Sequence, residues 1–197
     1  MRRKIDLFIL LLVLMTGFFA VRNARLIGDW WHSQQYSPPQ EISKLADDAG
    51  MSNKGKQLFF RFSPQLVGQQ DLDSYCDIEK LGCAEGRNIY ILQYINNEEY
   101  NQSTVTAAHE MLHVAFSRLK PAQKEMLQPL LKAELDKPQA ANIIKKLKDY
   151  PPEDYFNESH SFIGSELGSI SPELSNYYKD YFNDRSKSTS AYNASPR

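Results

Sequence analysis

The chain has 197 residues, 42% of them hydrophobic, with 23 Lys/Arg set against 24 Asp/Glu. That is room for one globular domain with appendages, and an ordinary composition for one. No basic patch of the kind that holds a phosphate backbone is present, so no nucleic-acid partner is expected.

The N-terminus departs from the average. Arg2, Arg3 and Lys4 precede an apolar run from Leu7 to Val21, and Arg22 and Arg25 follow it. Basic flanks around an apolar run read as a transmembrane helix, and no convincing small-x-small site marks a cleavage point, so residues 1–26 are expected to be a retained signal-anchor, with a cleaved signal peptide as the alternative. With the denser basic cluster at the tip, the remainder is expected on the extracytoplasmic side of a single-pass membrane protein. Beyond residue 25 the charge balance is about −5, which selects no partner.

Residues 27–54 read as a juxtamembrane linker, with an interfacial aromatic stretch from Asp29 to Tyr36. A short helix follows, opened by Pro38-Pro39, carrying Ile42, Leu45, Ala46 and Ala49 on one face and closed by Gly50. The body, residues 55–185, starts with an expected strand over Gln57 to Phe62 and a short helix capped by Ser63-Pro64. Cys76 and Cys83 are the only cysteines; separated by a turn-rich segment in an exported chain, they are expected to pair. Asn88 to Ile95 reads as a strand with both faces apolar, followed by a polar loop over Asn96 to Gln102.

Next comes His109-Glu110-Met111-Leu112-His113, within an apolar, helix-compatible segment that Ser103 or Thr104 could cap. Two histidines four apart lie one turn above each other on a helix and can grip one zinc ion, and the glutamate beside them is placed to take a proton from the water that the metal activates. The rest reads as helical. Ala122 to Leu135 is periodic, with a kink expected at Pro129, and Gln139 to Lys148 follows. There Lys145, Lys146 and Lys148, beside Ile143, Ile144 and Leu147, read as a solvated face. Pro151-Pro152 breaks the chain ahead of a helix over Glu153 to Leu167, and Ser171-Pro172 caps a last one running to about Arg185. Residues 186–197 are expected to be a disordered tail.

Catalytic zinc keeps three protein ligands and one open position. A third histidine in the next helical turn is excluded, because Leu119 occupies that place. The segment Asn157-Glu158-Ser159-His160 through Glu166 is the obvious source, because it concentrates a third histidine and two carboxylates about 45 residues downstream. Here the chain resembles the gluzincin peptidases, in which the third ligand is a glutamate on a later helix, often in an Asn-Glu context matched by Asn157-Glu158. His160 is the rival ligand, with Glu166 behind it. At about 100° per residue Glu158 and His160 point some 160° apart, so only one of them can reach the metal.

The resemblance implies an α+β fold, a mainly helical zincin-like domain with a small sheet packed on the H-E-x-x-H helix. It also implies Zn2+ on His109, His113 and Glu158, Glu110 as the catalytic base, and a peptide or protein substrate that could pair with the Asn88–Ile95 strand. Tyr150 and Tyr155 are the nearest candidates in sequence for donating to an oxyanion. The expected activity is a membrane-anchored zinc peptidase; the alternative is a surface-attached zinc-binding interaction module without catalysis.

Overall fold

The computed structural model describes residues 13–19, 21–22, 36–76 and 80–195. The chain divides into two units, residues 1–37 and 38–197. In the first, residues 13–19 and 21–22 are helical. The transmembrane helix expected over 1–26 is corrected: among the described residues no helix is long and apolar enough to cross a membrane, which takes about 20 apolar residues. The other residues of that segment, and most of the aromatic stretch after it, lie outside the described residues. The single-pass, extracytoplasmic placement rested on that span and falls with it.

In the second unit the α+β zincin-like expectation is corrected to a mostly helical chain with one three-stranded sheet. Helices α1 (Gln40–Asp48) and α2 (Asn53–Phe60) come first, then β1 (Gln65–Val67), α3 (Gln69–Tyr75), β2 (Gly82–Glu85) and β3 (Asn88–Leu92). The long α4 (Asn97–Ser117) follows, then α5 (Pro121–Leu135), α6 (Ala141–Leu147), α7 (Tyr155–Glu166), α8 (Pro172–Tyr178) and α9 (Ser186–Ala194).

Helix α4 is the axis of the unit. The sheet, α1, α2, α7 and α9 all pack on it, and it is buried almost all round, from Ser103 to Leu112 and again from Val114 to Phe116. A helix surrounded in this way must be apolar or internally satisfied. Ser103, Thr104 and Thr106 meet that condition by bonding back to the carbonyls of Glu99, Tyr100 and Gln102. The helix also starts about two turns earlier than the polar sequence of 96–102 suggests. Asn96 accepts from the Glu99 N–H at 2.9 Å while Glu99 accepts from the Ile95 N–H at 2.8 Å, a reciprocal cap that satisfies one N–H group left over by the first turn and one just ahead of the helix.

The sheet has the order β1-β3-β2. Strand β1 runs parallel to β3, with Leu66 opposite Ile91, and β2 runs antiparallel to it, with Cys83 opposite Tyr90. A two-residue loop joins β2 to β3, and its first residue, Gly86, has φ +59°, the sign that a tight hairpin of this kind demands. Gly82 is required for a different reason: a Cβ there would lie 2.5 Å from Thr106 Cγ2 and 2.7 Å from the Tyr90 carbonyl oxygen, so only glycine lets β2 approach α4 this closely.

Two further expectations differ from the structure. Gln57 to Phe62, read as a strand, belongs mostly to α2, whose Ser52 cap accepts from the Gly55 N–H at 3.0 Å and whose Leu58 and Phe59 are buried. The segment from Ser186, read as a frayed tail, forms α9. Ser188 there is fully buried and bonds the Ser165 carbonyl at 2.9 Å, and Ser195 bonds the Glu98 carbonyl at 3.0 Å. Arg185, just before α9, donates to the carbonyls of Leu167 at 2.6 Å and Gly168 at 2.8 Å, and more distantly to Ile163 and Gly164. One guanidinium thus serves carbonyls in the last turn of α7 and in the two residues that follow it, groups that a helix end leaves without a helical partner.

Candidate metal centre

The helical spacing of His109 and His113 brings their rings edge to face, 4.6 Å apart between centroids, with the two Nε2 atoms 2.9 Å from each other. Helix α7 crosses this point. Ser161 and Ser165 are buried there, and Gly164 is so close that a Cβ would lie 2.4 Å from Leu112 Cδ1 and 2.7 Å from Tyr178 Cε1. Small residues on α7 therefore set how near it comes to α4. The approach brings the Glu158 carboxylate to 3.4 Å from His109 Nε2 through Oε2 and to 3.5 Å from His113 Nε2 through Oε1.

The side chains of His109, His113 and Glu158 are 11%, 14% and 11% exposed. Glu158 Oε2 is buried and makes no hydrogen bond, an expensive position for a carboxylate oxygen unless a cation compensates it. Burial pushes the Glu158 carboxyl up from its usual range, against the pull of His113 and Lys80. Burial, and then the neighbouring His109, push His113 down to about 4, so its imidazole is neutral near pH 7 and free to act as a ligand.

These donors fit zinc. Two imidazole nitrogens and a carboxylate form a zinc ligand set, and tetrahedral bonds of about 2.0–2.1 Å place neighbouring donor atoms about 3.3 Å apart. The observed separations of 2.9, 3.4 and 3.5 Å bracket that value. The Ser161 hydroxyl lies 3.2 Å from His113 Nδ1, which fixes the ring with Nε2 facing the other donors. His109 is steadied by ring packing, with Phe162 4.6 Å away, centroid to centroid.

Glu110 is buried, and its ligand atom lies within 4.8 Å of those of both histidines. All four residues line a cleft of about 1050 Å3, walled on one side by Leu81 to Glu85 and on the other by α6, α7 and the segment between them. Cys76 and Cys83 lie on the strand side of this cleft, joined in a disulfide. Tyr75, next to the disulfide, stacks on Tyr90 of β3 at 4.1 Å.

His160 is placed elsewhere. It is fully buried on the far face of α7, with its Nε2 2.9 Å from the Tyr177 hydroxyl and with Phe116 and Tyr178 packed around its ring. Glu166 lies two turns along from Glu158 and is paired with Lys146 at 2.7 Å, so Lys146 belongs to the cleft wall and not to a solvated face. Tyr150 lines the cleft and Tyr155 does not. The strand expected to meet substrate, β3, has both edges occupied by β1 and β2. The strand segment on the cleft is β2, which alternation of apolar residues could not reveal because it reads Gly-Cys-Ala-Glu.

Set against protein-family models, curated proteins and solved structures, the chain matches none of them.

Proposed function

We propose that this chain is a zinc-dependent peptidase in which His109, His113 and Glu158 hold the metal and Glu110 is the general base. The observation that carries the reading is the convergence of three ligand side chains and one further carboxylate at a cleft of about 1050 Å3. A zinc ion held by His109, His113 and Glu158 would supply Lewis acidity for the scissile carbonyl and for a water nucleophile. Glu110 then accepts the proton of the attacking water and passes it to the leaving amine, the two transfers that peptide hydrolysis requires. The Tyr150 hydroxyl, on the cleft wall, is the candidate donor to the developing oxyanion. Strand β2 borders the cleft along its whole length, and an extended substrate could lie along it, held by main-chain hydrogen bonds with little sequence selectivity.

A structural zinc site is closed by four protein ligands. A donor set that opens onto a large cleft favours catalysis over the non-catalytic binding module. Zinc content and hydrolysis of an unstructured protein such as casein test the reading together. The wild type should bind one equivalent; His113→Ala and Glu158→Ala should lose it, and His160→Phe should keep it. Glu110→Gln should keep zinc and lose cleavage by about 10²–10⁴-fold. A wild type that binds no zinc overturns the proposal, and cleavage that survives Glu110→Gln overturns the role of Glu110.

A further inference from the structure

Lys146 and Glu166 form an ion pair inside the cleft wall, and the two halves of the pair are unequally accessible. The Glu166 side chain is 2% exposed, whereas that of Lys146 is 23% exposed, and both residues line the cleft. The ammonium is held from several directions. Glu166 Oε2 accepts from it at 2.7 Å and the Tyr192 hydroxyl at 3.5 Å, and it lies over the rings of Tyr192 at 4.7 Å and Phe162 at 5.2 Å. Phe162 is also the ring packed against His109. One aromatic side chain therefore separates this cation from the candidate metal ligands.

A buried ion pair contributes little net stability compared with apolar residues of the same volume, so stability alone does not account for a charged pair in a cleft wall. An ammonium carries three N–H donors and no acceptor. Two of its donors have partners among the described residues, which leaves one for the cleft, while the accepting oxygens of Glu166 are turned into the protein. What the wall offers a bound molecule at this point is thus a pre-positioned donor with a positive charge. Restraining a long lysine side chain in advance removes the ordering cost that usually weakens such contacts. Asp149 and Asp154 also line the cleft but are exposed to water, where their charges are screened; Lys146 is only partly exposed and lies over two rings, so its charge is screened less.

We infer that Lys146 is a recognition residue for a carboxylate of the substrate, held in position by Glu166, Tyr192 and Phe162. This rests on the peptidase reading and deepens it by naming a substrate class: peptides that present a carboxylate close to the scissile bond. Both an acidic side chain and a free C-terminus supply that group.

The test uses the full chain loaded with zinc, carrying Glu110→Gln so that bound peptides stay intact, and fluorescein-labelled peptides read by anisotropy. Four versions of one short peptide are compared: an internal Glu or Gln, each with a free or an amidated C-terminus. A peptide bearing the recognised carboxylate should bind about tenfold tighter than its neutral counterpart, and which substitution removes the advantage shows whether side chain or terminus is recognised. Because Lys146→Ala leaves Glu166 buried without a partner, the informative variant is Lys146→Met combined with Glu166→Gln, with Lys146→Arg as the conservative control. The double variant should melt cooperatively and lose the tenfold preference, and Lys146→Arg should retain most of it. Equal binding of all four peptides, or a preference that survives the double variant, overturns the inference. Casein cleavage by wild-type Glu110 protein separates the two readings. Cleavage without a carboxylate preference removes only the role of Lys146; a Lys146-dependent preference without cleavage leaves a carboxylate-binding cleft and removes the peptidase.

Discussion

Replacing Gly164 by alanine sets two opposed effects of known size against each other. In a helix interior alanine is favoured over glycine by about 1 kcal/mol, so on propensity alone the variant should be the more stable protein. Against this, its Cβ would sit 2.4 Å from Leu112 Cδ1 and 2.7 and 3.1 Å from two atoms of the Tyr178 ring. The leucine methyl is the end of a flexible side chain and can turn away. The tyrosine cannot do so cheaply, because its ring is 1% exposed and its hydroxyl donates to the His160 carbonyl at 2.7 Å. Overpacking of a tight core costs about 1–3 kcal/mol, and a net loss centred near 1 kcal/mol is expected, which for a domain of this size lowers Tm by roughly 2–4 °C. Gly164→Val, with more volume and a poorer helix former, should lose roughly 3 kcal/mol. Six residues separate Gly164 from Glu158, about 9 Å along the same helix, so a displaced α7 should also carry the carboxylate away from the histidines. Zinc affinity is expected to fall about tenfold alongside the loss of stability. The assay pairs urea denaturation of metal-free protein with a zinc titration of each variant. A Gly164→Ala protein about 1 kcal/mol more stable than wild type, with zinc affinity intact, would show that close packing of α7 on α4 does not position Glu158.

Two other perturbations follow from the same packing. Arg185→Met removes donors from four carbonyls at the C-terminal end of α7 and should cost about 2–4 kcal/mol; hydrogen exchange should show α9 opening ahead of the rest, and uniform protection of α9 in the variant would contradict this. Glu134, 1% exposed, accepts from Lys137 at 2.8 Å and from the Ser171 N–H at 2.7 Å. Burial alone would raise its carboxyl, but those bonds outweigh it and hold the group below the usual range. The sign follows: the stabilisation is complete above the unfolded-state value near pH 4 and disappears as pH falls through the folded-state value. Glu134→Gln should therefore cost about 2 kcal/mol at pH 7 in urea, with the gap to wild type closing below about pH 4. A gap that stays constant down to pH 3 would rule out a charged Glu134 as its source.

The H-E-x-x-H helix was readable from residue types and spacing, because the two histidines and the glutamate are placed by a local rule, the pitch of an α-helix. The cysteine pair was readable for a similar reason, being close in sequence and alone in the chain. Local rules failed where two of them competed. Ser103 and Thr104 are good caps, yet the reciprocal Asn96–Glu99 cap lies further upstream and wins, because β3 ends at Leu92 and α4 can begin directly after a short turn. The apolar residues of Gln57 to Phe62 suit a strand, but Ser52 starts a helix ahead of them. Basic flanks and an apolar run suggested a membrane span, and no helix among the described residues is long and apolar enough for one.

The sequence by itself determined that two histidines and a glutamate share one turn of helix, and that Glu158 and His160 face opposite ways on another. Which of those two faces meets α4 was a matter for tertiary structure, since it depends on Gly164 lying against Leu112 and Tyr178 from distant parts of the chain, with Ser161 and Ser165 buried beside it. The same packing turned His160 into an aromatic pocket and drew Lys146 from an apparently solvated helix face into the cleft wall. Helical pitch fixes where a side chain points around its own axis; only the contacts between helices fix what it points at.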